Sequence, residues 1–235
     1  MDLTAVTGYR AARGRDDLAL APGEVFLAGG TWLYSEPQPA VTGLVDLTAL
    51  GWPALEELPG GGLRIAATCT IAELAAVRPF FHQCATALLA SVKVWHVATV
   101  GGNICRSYAA AAMVSLAVTL DGVALVWTPD GGSYRIPVAD LITGNGSNTL
   151  SPGEVLRAVD LPGPALAGRT AFRQIALATM GRSGAVLTGR LDPSGAVTLV
   201  ITAVDGYYTD PLGPADWRRQ VSGVLLEEIR QELDS

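Results

Sequence analysis

Apolar residues in this chain come in short runs broken by glycine and proline, and each run predicts a small element. Val25-Phe26-Leu27-Ala28 and Leu44-Val45-Asp46-Leu47 read as buried strands, with Pro37 and Pro39 between them excluding one continuous crossover helix. Leu63-Arg64-Ile65-Ala66-Ala67 reads as a strand after the Gly60-Gly61-Gly62 turn. Thr70 with Glu73 forms a capping box for a helix through Ala76, which Pro79 ends. The alanine-rich stretch from Phe80 to Val94 predicts helix, and Val94-Trp95-His96-Val97 an apolar buried segment with His96 as a core histidine. Ala109 to Leu120 predicts a buried small-residue helix, well short of the ~20 residues that span a bilayer.

Val123–Trp127 and Ser133–Ile136 then predict a hairpin around Pro129-Asp130-Gly131-Gly132, and Glu154–Val159 a strand despite its charges. Past Leu161-Pro162-Gly163-Pro164 the organisation restarts, which places a domain boundary near residue 165. Strands are expected at 172–178, 184–191 and 197–204, and a helix from Pro214 onward. In that helix Trp217, Val221, Val224, Leu225 and Ile229 form one apolar stripe. Tyr207 and Tyr208, beside a turn, read as surface aromatics.

Composition narrows the classes. The chain has 235 residues, 49% of them apolar and 16% charged, enough to bury a large core. A net charge of −6 with no basic stripe argues against nucleic acid or an anionic membrane as partner. Cys69, Cys84 and Cys105 are odd in number and scattered, and with two histidines they suggest neither a disulfide framework nor a metal site. The N-terminus shows no signal-peptide pattern, so a reducing cytoplasm is expected.

Candidate chemistry sits in two glycine segments, Ala28-Gly29-Gly30-Thr31 and Thr99-Val100-Gly101-Gly102-Asn103, roughly seventy residues apart. Paired glycines let backbone approach a ligand closely with amides free to donate, and Thr or Asn adds a side-chain donor. Two such loops suit one pyrophosphate held from both sides. Gly144-Asn145-Gly146-Ser147-Asn148-Thr149 only mimics a dinucleotide fingerprint, because Leu150-Ser151-Pro152-Gly153 cannot open the helix that motif needs. No Walker A, GxSxG or HExxH pattern occurs.

These segments, together with Leu63–Thr70, Leu120-Asp121-Gly122, Ile136–Asp140 and Gly153–Leu156, carry a resemblance over residues 20–165. The chain resembles the FAD-binding medium subunit of the molybdenum hydroxylases, the group of xanthine dehydrogenase and carbon monoxide dehydrogenase. The resemblance implies an α+β fold: a two-lobed FAD-binding domain of the molybdopterin dehydrogenase type (residues 1–165, lobes about 1–55 and 56–165) and a small C-terminal α+β domain (166–235). It implies FAD held by Phe26, Leu27, Ala28, Gly29, Gly30, Thr31, Trp32 and Leu33 on one side. Ala98, Thr99, Gly101, Gly102, Asn103 and Arg106 would hold it on the other. It also implies a flavoprotein oxidoreductase acting within a heterotrimer, with molybdopterin on a large partner subunit and a [2Fe–2S] cluster on a small one. Electrons would pass from the cluster through FAD to an external acceptor, with no catalytic side chain of its own. A free-standing FAD oxidoreductase and a non-catalytic scaffold are the alternatives.

Two positions depart from the family pattern. Where the family reads Ser-Pro-Ala-Ala-Asp, this chain reads Tyr108-Ala109-Ala110-Ala111-Ala112, without the carboxylate. Loss of such an acceptor costs about 1 kcal/mol, a drop in FAD affinity of roughly tenfold. Trp32 stands where the family has a small or acidic residue, either to stack on the cofactor or to fill a gap between lobes.

Overall fold

The computed structural model describes residues 3–177, 183–202 and 214–235. Three short strands, β1 (Gly8–Ala11), β2 (Glu24–Leu27) and β3 (Gly43–Asp46), form a parallel sheet with β3 in the middle. β2 and β3 fall on the two predicted apolar runs. β1, Gly-Tyr-Arg-Ala, has no apolar run to announce it and pairs only because β3 supplies the partner. The link from β2 to β3 is irregular, as Pro37 and Pro39 require.

The middle of the chain builds a larger layer. Along it follow β4 (Leu55–Leu58), β5 (Gly62–Ala66), α1 (Ile71–Ala75), α2 (Pro79–Thr86), α3 (Val92–Trp95), α4 (Val100–Arg106) and α5 (Ala112–Thr119). Then come β6 (Val123–Trp127), β7 (Ser133–Pro137), α6 (Val138–Leu141), β8 (Ile142–Gly144), β9 (Ser147–Asn148), β10 (Val155–Leu161) and α7 (Gly163–Leu166). Five strands pair in the order β4-β5-β10-β6-β7, all antiparallel. β10 runs through the centre although it carries Asp160. That carboxylate is only 6% exposed and lies 2.7 Å from both Arg64 of β5 and Arg135 of β7, so its charge is paired in place. The capping box of α1 forms as expected, Glu73 N donating to Thr70 Oγ1 (3.2 Å) and Thr70 N to Glu73 Oε2 (2.8 Å).

The third layer is an antiparallel sheet of β11 (Arg169–Ile175), β12 (Ala185–Leu191) and β13 (Val197–Thr202), with α8 (Ala215–Asp234) along one face. Strand alternation divides β12 between two cores: Val186 joins the large core with α5, while Ala185 and Leu187 pack under Ile229 and Leu233 of α8. α5 is therefore enclosed by the middle layer and the third sheet, and all of its residues but Val118 are buried. A helix apolar all round has to be buried this way.

Several expectations are corrected. The Phe80–Val94 helix breaks at Leu89, which adopts a left-handed φ of 48°. Val94–Val97 is not a buried segment: α3 is only four residues, Val97 is half exposed, and His96 is an exposed C-cap. α5 starts at Ala112, because Ala110 at φ 57° cannot be helical. The stripe on α8 holds at Ile229, which is buried, and at Leu225, which packs on the same core, but Val224 is 61% exposed, and Arg218, Ser222 and Leu233, outside the stripe, are buried. A polar Ser222 hides this face from any hydrophobic pattern. The expected strand ends at 178 and 203–204, and Tyr207-Tyr208, lie outside the described residues.

Candidate functional site

A cleft of about 550 Å³ opens between the parallel sheet and the α1–α4 region, within the roughly 300–1,000 Å³ usual for ligand sites. One wall is Val25–Leu33 with Gln38, Val41 and Leu47; the other draws on α1, α3, α4 and the start of β10. Every residue expected to contact the cofactor lines this one cleft: Phe26 to Leu33, and Ala98, Thr99, Gly101, Gly102, Asn103 and Arg106. Thr68, Ile71, Leu88, Ala90, Glu154 and Leu156 line it too and were not anticipated. Thr68 stood inside a motif already noticed. Leu88 and Ala90 flank the left-handed Leu89, a feature no apolar pattern reveals.

The two glycine segments touch. A Cβ on Gly29 would lie 2.0 Å from the Val97 carbonyl oxygen and 3.0 Å from the Ala98 Cα. Gly30 then turns the chain at φ +67°, and Tyr34 N closes that turn on Gly30 O (2.9 Å). Among the described residues, the amides of Gly29, Gly30 and Thr31 have no intramolecular acceptor. They are among the free backbone donors of the cleft.

The second segment is no loop. Thr99 is the N-cap of α4, and the glycines form that helix's first turn. Its amides are already committed: Val100 N to Cys69 O and Gly101 N to Ala67 O (both 2.9 Å), Gly102 N to Thr99 Oγ1 (3.1 Å), Asn103 N to Thr99 O (3.0 Å). Gly101 is needed for contact with β5's end, since a Cβ there would meet the Ala67 Cβ at 2.5 Å. What this side offers a ligand is side-chain chemistry, namely the Thr99 hydroxyl hydrogen, the Asn103 NH2 and the Arg106 guanidinium. Asn103 Oδ1 is used in packing, accepting from Met113 N (3.1 Å) at the start of α5.

Arg106 closes the arrangement. Its Cζ lies 3.6 Å from the centroid of the Trp32 ring and 4.5 Å from that of Tyr108, and its Nη2 donates to the Tyr108 hydroxyl (2.7 Å). Trp32 thus joins the two sides of the cleft through an arginine. The glycine-rich 144–149 stretch, dismissed as a dinucleotide loop, is the β8–β9 hairpin that braces this end of α4. Asn148 Nδ2 donates to Cys105 O (2.8 Å), Gly146 N to Ser107 O (2.7 Å), and Asn145 Oδ1 accepts from Ala109 N (2.9 Å).

Charge in the cleft is sparse. Among its lining residues Arg106 is the one cation and Glu154 the one carboxylate. Glu154 Oε2 already accepts from the Tyr134 hydroxyl (2.9 Å) and Ser151 N (2.8 Å). Burial pushes the Cys105 thiol up to about 12, so it stays protonated at neutral pH, in keeping with a packing role. Ala112, where the family carries its aspartate, is fully buried at the head of α5 and does not line the cleft.

The residues present fit FAD. Apolar walls at Ile71, Leu88, Val94 and Leu156 suit an aromatic ring system, and free amides at Gly29–Thr31 suit phosphate oxygens. Two buried donors, Trp32 Nε1 and Arg106 Nε, have no partner among the described residues.

Residues 13–164 match the family described as the FAD binding domain in molybdopterin dehydrogenase, and the chain belongs to that family. It is a flavoprotein of the oxidoreductase class, and its cofactor is FAD. Among solved structures it is similar to a chain of quinoline 2-oxidoreductase from Pseudomonas putida 86, at 19% identity and a TM-score of 0.83, covering 99% of this chain and 98% of that one. It is also similar to a chain of reconstituted CO dehydrogenase from Oligotropha carboxidovorans, at 20% identity and TM-score 0.83, covering 96% of each. A chain of carbon monoxide dehydrogenase from Hydrogenophaga pseudoflava matches at 17% identity and TM-score 0.83, covering 97% of each. These likenesses establish a shared fold. No curated protein sequence matches. Among the described residues no helix is long and apolar enough to cross a membrane, and no cluster of potential metal ligands occurs.

Proposed function

We propose that this chain is the FAD-carrying electron-transfer subunit of a multi-subunit molybdenum hydroxylase. In this reading a molybdopterin-binding large subunit oxidises the substrate, and a [2Fe–2S] small subunit passes the electrons on. They leave the chain to an external acceptor. When bound, FAD supplies the redox chemistry. The chain's own residues bind and orient it: Gly29–Thr31 through backbone amides, Thr99, Asn103 and Arg106 through side chains, and Ile71, Leu88 and Val94 by excluding water. Residues 1–165 would form the cofactor domain, with lobes about 1–55 and 56–165, and 166–235 the small C-terminal domain.

The observation that carries the reading is the cleft itself, where both glycine segments converge on one dinucleotide-sized space. A free-standing oxidoreductase would need a proton-transfer group there. Apart from Arg106, the cleft's ionisable side chains are a hydrogen-bonded Glu154, a protonated Cys105 and Tyr108.

The test has two stages. The purified chain should show flavin absorption and release FAD in about a one-to-one ratio. A tagged copy expressed in its native host should then co-purify with molybdenum-containing and iron–sulfur chains. A colourless chain that takes up no added FAD would refute the cofactor role. A yellow chain that always purifies alone would refute the subunit role.

A further inference from the structure

Arg106 is placed where its guanidinium can receive an anion. Its guanidinium carbon lies over the Trp32 ring, 3.6 Å from the centroid, and 4.5 Å from that of Tyr108. One hydrogen bond, from Nη2 to the Tyr108 hydroxyl, fixes one edge. Its Nε is shielded from water with no acceptor among the described residues, and so is the indole nitrogen of Trp32. Most other arginines that the structure holds in place use their charge: Arg10, Arg64, Arg135, Arg157, Arg173 and Arg190 all pair with carboxylates. The cation in the cleft does not, and the cleft's single carboxylate is engaged elsewhere.

A buried donor without a partner costs free energy, and an oxygen that accepts from it recovers that cost. Two such donors on neighbouring side chains ask for a ligand with acceptor oxygens and negative charge. A stacked guanidinium is suited to phosphate because its donors are already oriented. Across the cleft the amides of Gly29, Gly30 and Thr31 are free to donate to the same group.

We propose that Trp32, Arg106 and Tyr108 form a clasp for the pyrophosphate of the bound dinucleotide, with Arg106 Nε–H and Trp32 Nε1–H donating to its oxygens. The clasp rests on the reading of the cleft as an FAD site. It makes the adenosine-diphosphate half, and not the flavin ring, the main source of charge-dependent affinity.

The test is titration calorimetry on the FAD-stripped chain with FAD, ADP and inorganic pyrophosphate at low and high salt. Wild-type chain should bind all three, with FAD and ADP weakening as salt rises. Arg106→Gln should lose roughly 10–100-fold for FAD and for ADP and show a flatter salt dependence, as expected for charged hydrogen bonds. Arg106→Lys should recover part of the charge effect but not the stacked geometry. Trp32→Phe keeps an aromatic ring and removes one neutral donor, so a loss of roughly 3–10-fold is expected. Should Arg106→Gln fail to fold, the lysine and phenylalanine variants carry the test.

FAD binding that is unchanged in Arg106→Gln at both salts overturns the clasp and leaves the FAD site standing. With Trp32→Phe and Arg106→Lys both at wild-type affinity, the clasp is likewise overturned. Arg106-dependent binding of ADP and pyrophosphate without any binding of FAD supports the clasp and removes the flavin reading. No binding of any of the three removes both.

Discussion

A methyl group on Gly29 would meet the Val97 carbonyl carbon at 2.8 Å as well as its oxygen at 2.0 Å, and both are backbone atoms that no rotamer change can move. Gly29→Ala should therefore cost about 1–3 kcal/mol by overpacking and push the two walls of the cleft apart. Thermal unfolding and the FAD retained after gel filtration would both fall. The opposite sign is expected at Ala110, which sits at φ 57°, a conformation that carries a penalty for any residue with a Cβ. Ala110→Gly relieves that strain against a smaller entropic cost. A net gain of about 0.5–1 kcal/mol is expected, read as a rise of roughly 1–4 °C in the melting temperature. The glycine pairs were visible in the sequence as candidates for close approach. That Gly29 approaches Val97, and Gly101 approaches Ala67, depends on which elements meet.

Among the elements, α4 and α8 show how local signals succeed and fail. Thr99 caps α4, yet the Thr-Val-Gly-Gly-Asn run reads as a loop because two glycines are poor helix formers. Helix forms there because β5's end accepts the Gly101 amide and the β8–β9 hairpin holds the other terminus. On α8 the apolar stripe is right at Leu225 and Ile229 but not at Val224, and the face that packs on β12 also takes in Ser222 and Leu233. Two substitutions test where the pattern and the packed face differ. Val224→Lys should change stability by no more than about 0.5 kcal/mol, since the side chain is exposed. Leu233→Ala, at a site 1% exposed, should cost about 2–5 kcal/mol. Urea midpoints for the two variants decide which face is the packed one.

For the molecule as a whole, paired charges join strands that are distant in sequence, and they set the response to acid. The Arg10 guanidinium and the Ala21 amide hold the Glu24 carboxyl at about 2, down from its ordinary 4.5. Burial alone would push the Asp160 carboxyl up, but hydrogen bonds from Arg64 and Arg135 outweigh it and leave it below the usual range. Both groups bind protons more weakly folded than unfolded. Their contribution is complete above the ordinary carboxylate pKa and is lost as pH falls through the lowered one. Stability should therefore decline between pH 4.5 and about 2, the window of Glu24. Denaturant midpoints measured across that window should fall less steeply in Glu24→Gln. A profile identical to wild type would show that the Arg10 pair does not contribute. At the junction of layers, buried Arg190 of β12 bonds to Asp121, Asp192 and the Thr119 carbonyl, tying the third sheet to the end of α5.

Much of this was legible along the chain. Short apolar runs bounded by glycine and proline mark β2, β3, β5, β6 and β10, because strands need little more than a run of the right length between breakers. The capping box marks α1, and the all-apolar run marks α5 as a helix to be enclosed. The two glycine segments mark residues that come to line one cleft, since close backbone approach needs residues without bulk. Other features existed only once the chain had folded. β1 needs β3 beside it, and the committed amides of α4 need Ala67 and Cys69. The Trp32–Arg106–Tyr108 stack brings together residues on opposite walls of the cleft. Such features depend on contacts between distant segments, which local patterns do not encode. Propensity and periodicity act over a few residues, whereas the pairing of a charge or the placing of a donor depends on what the fold brings against it.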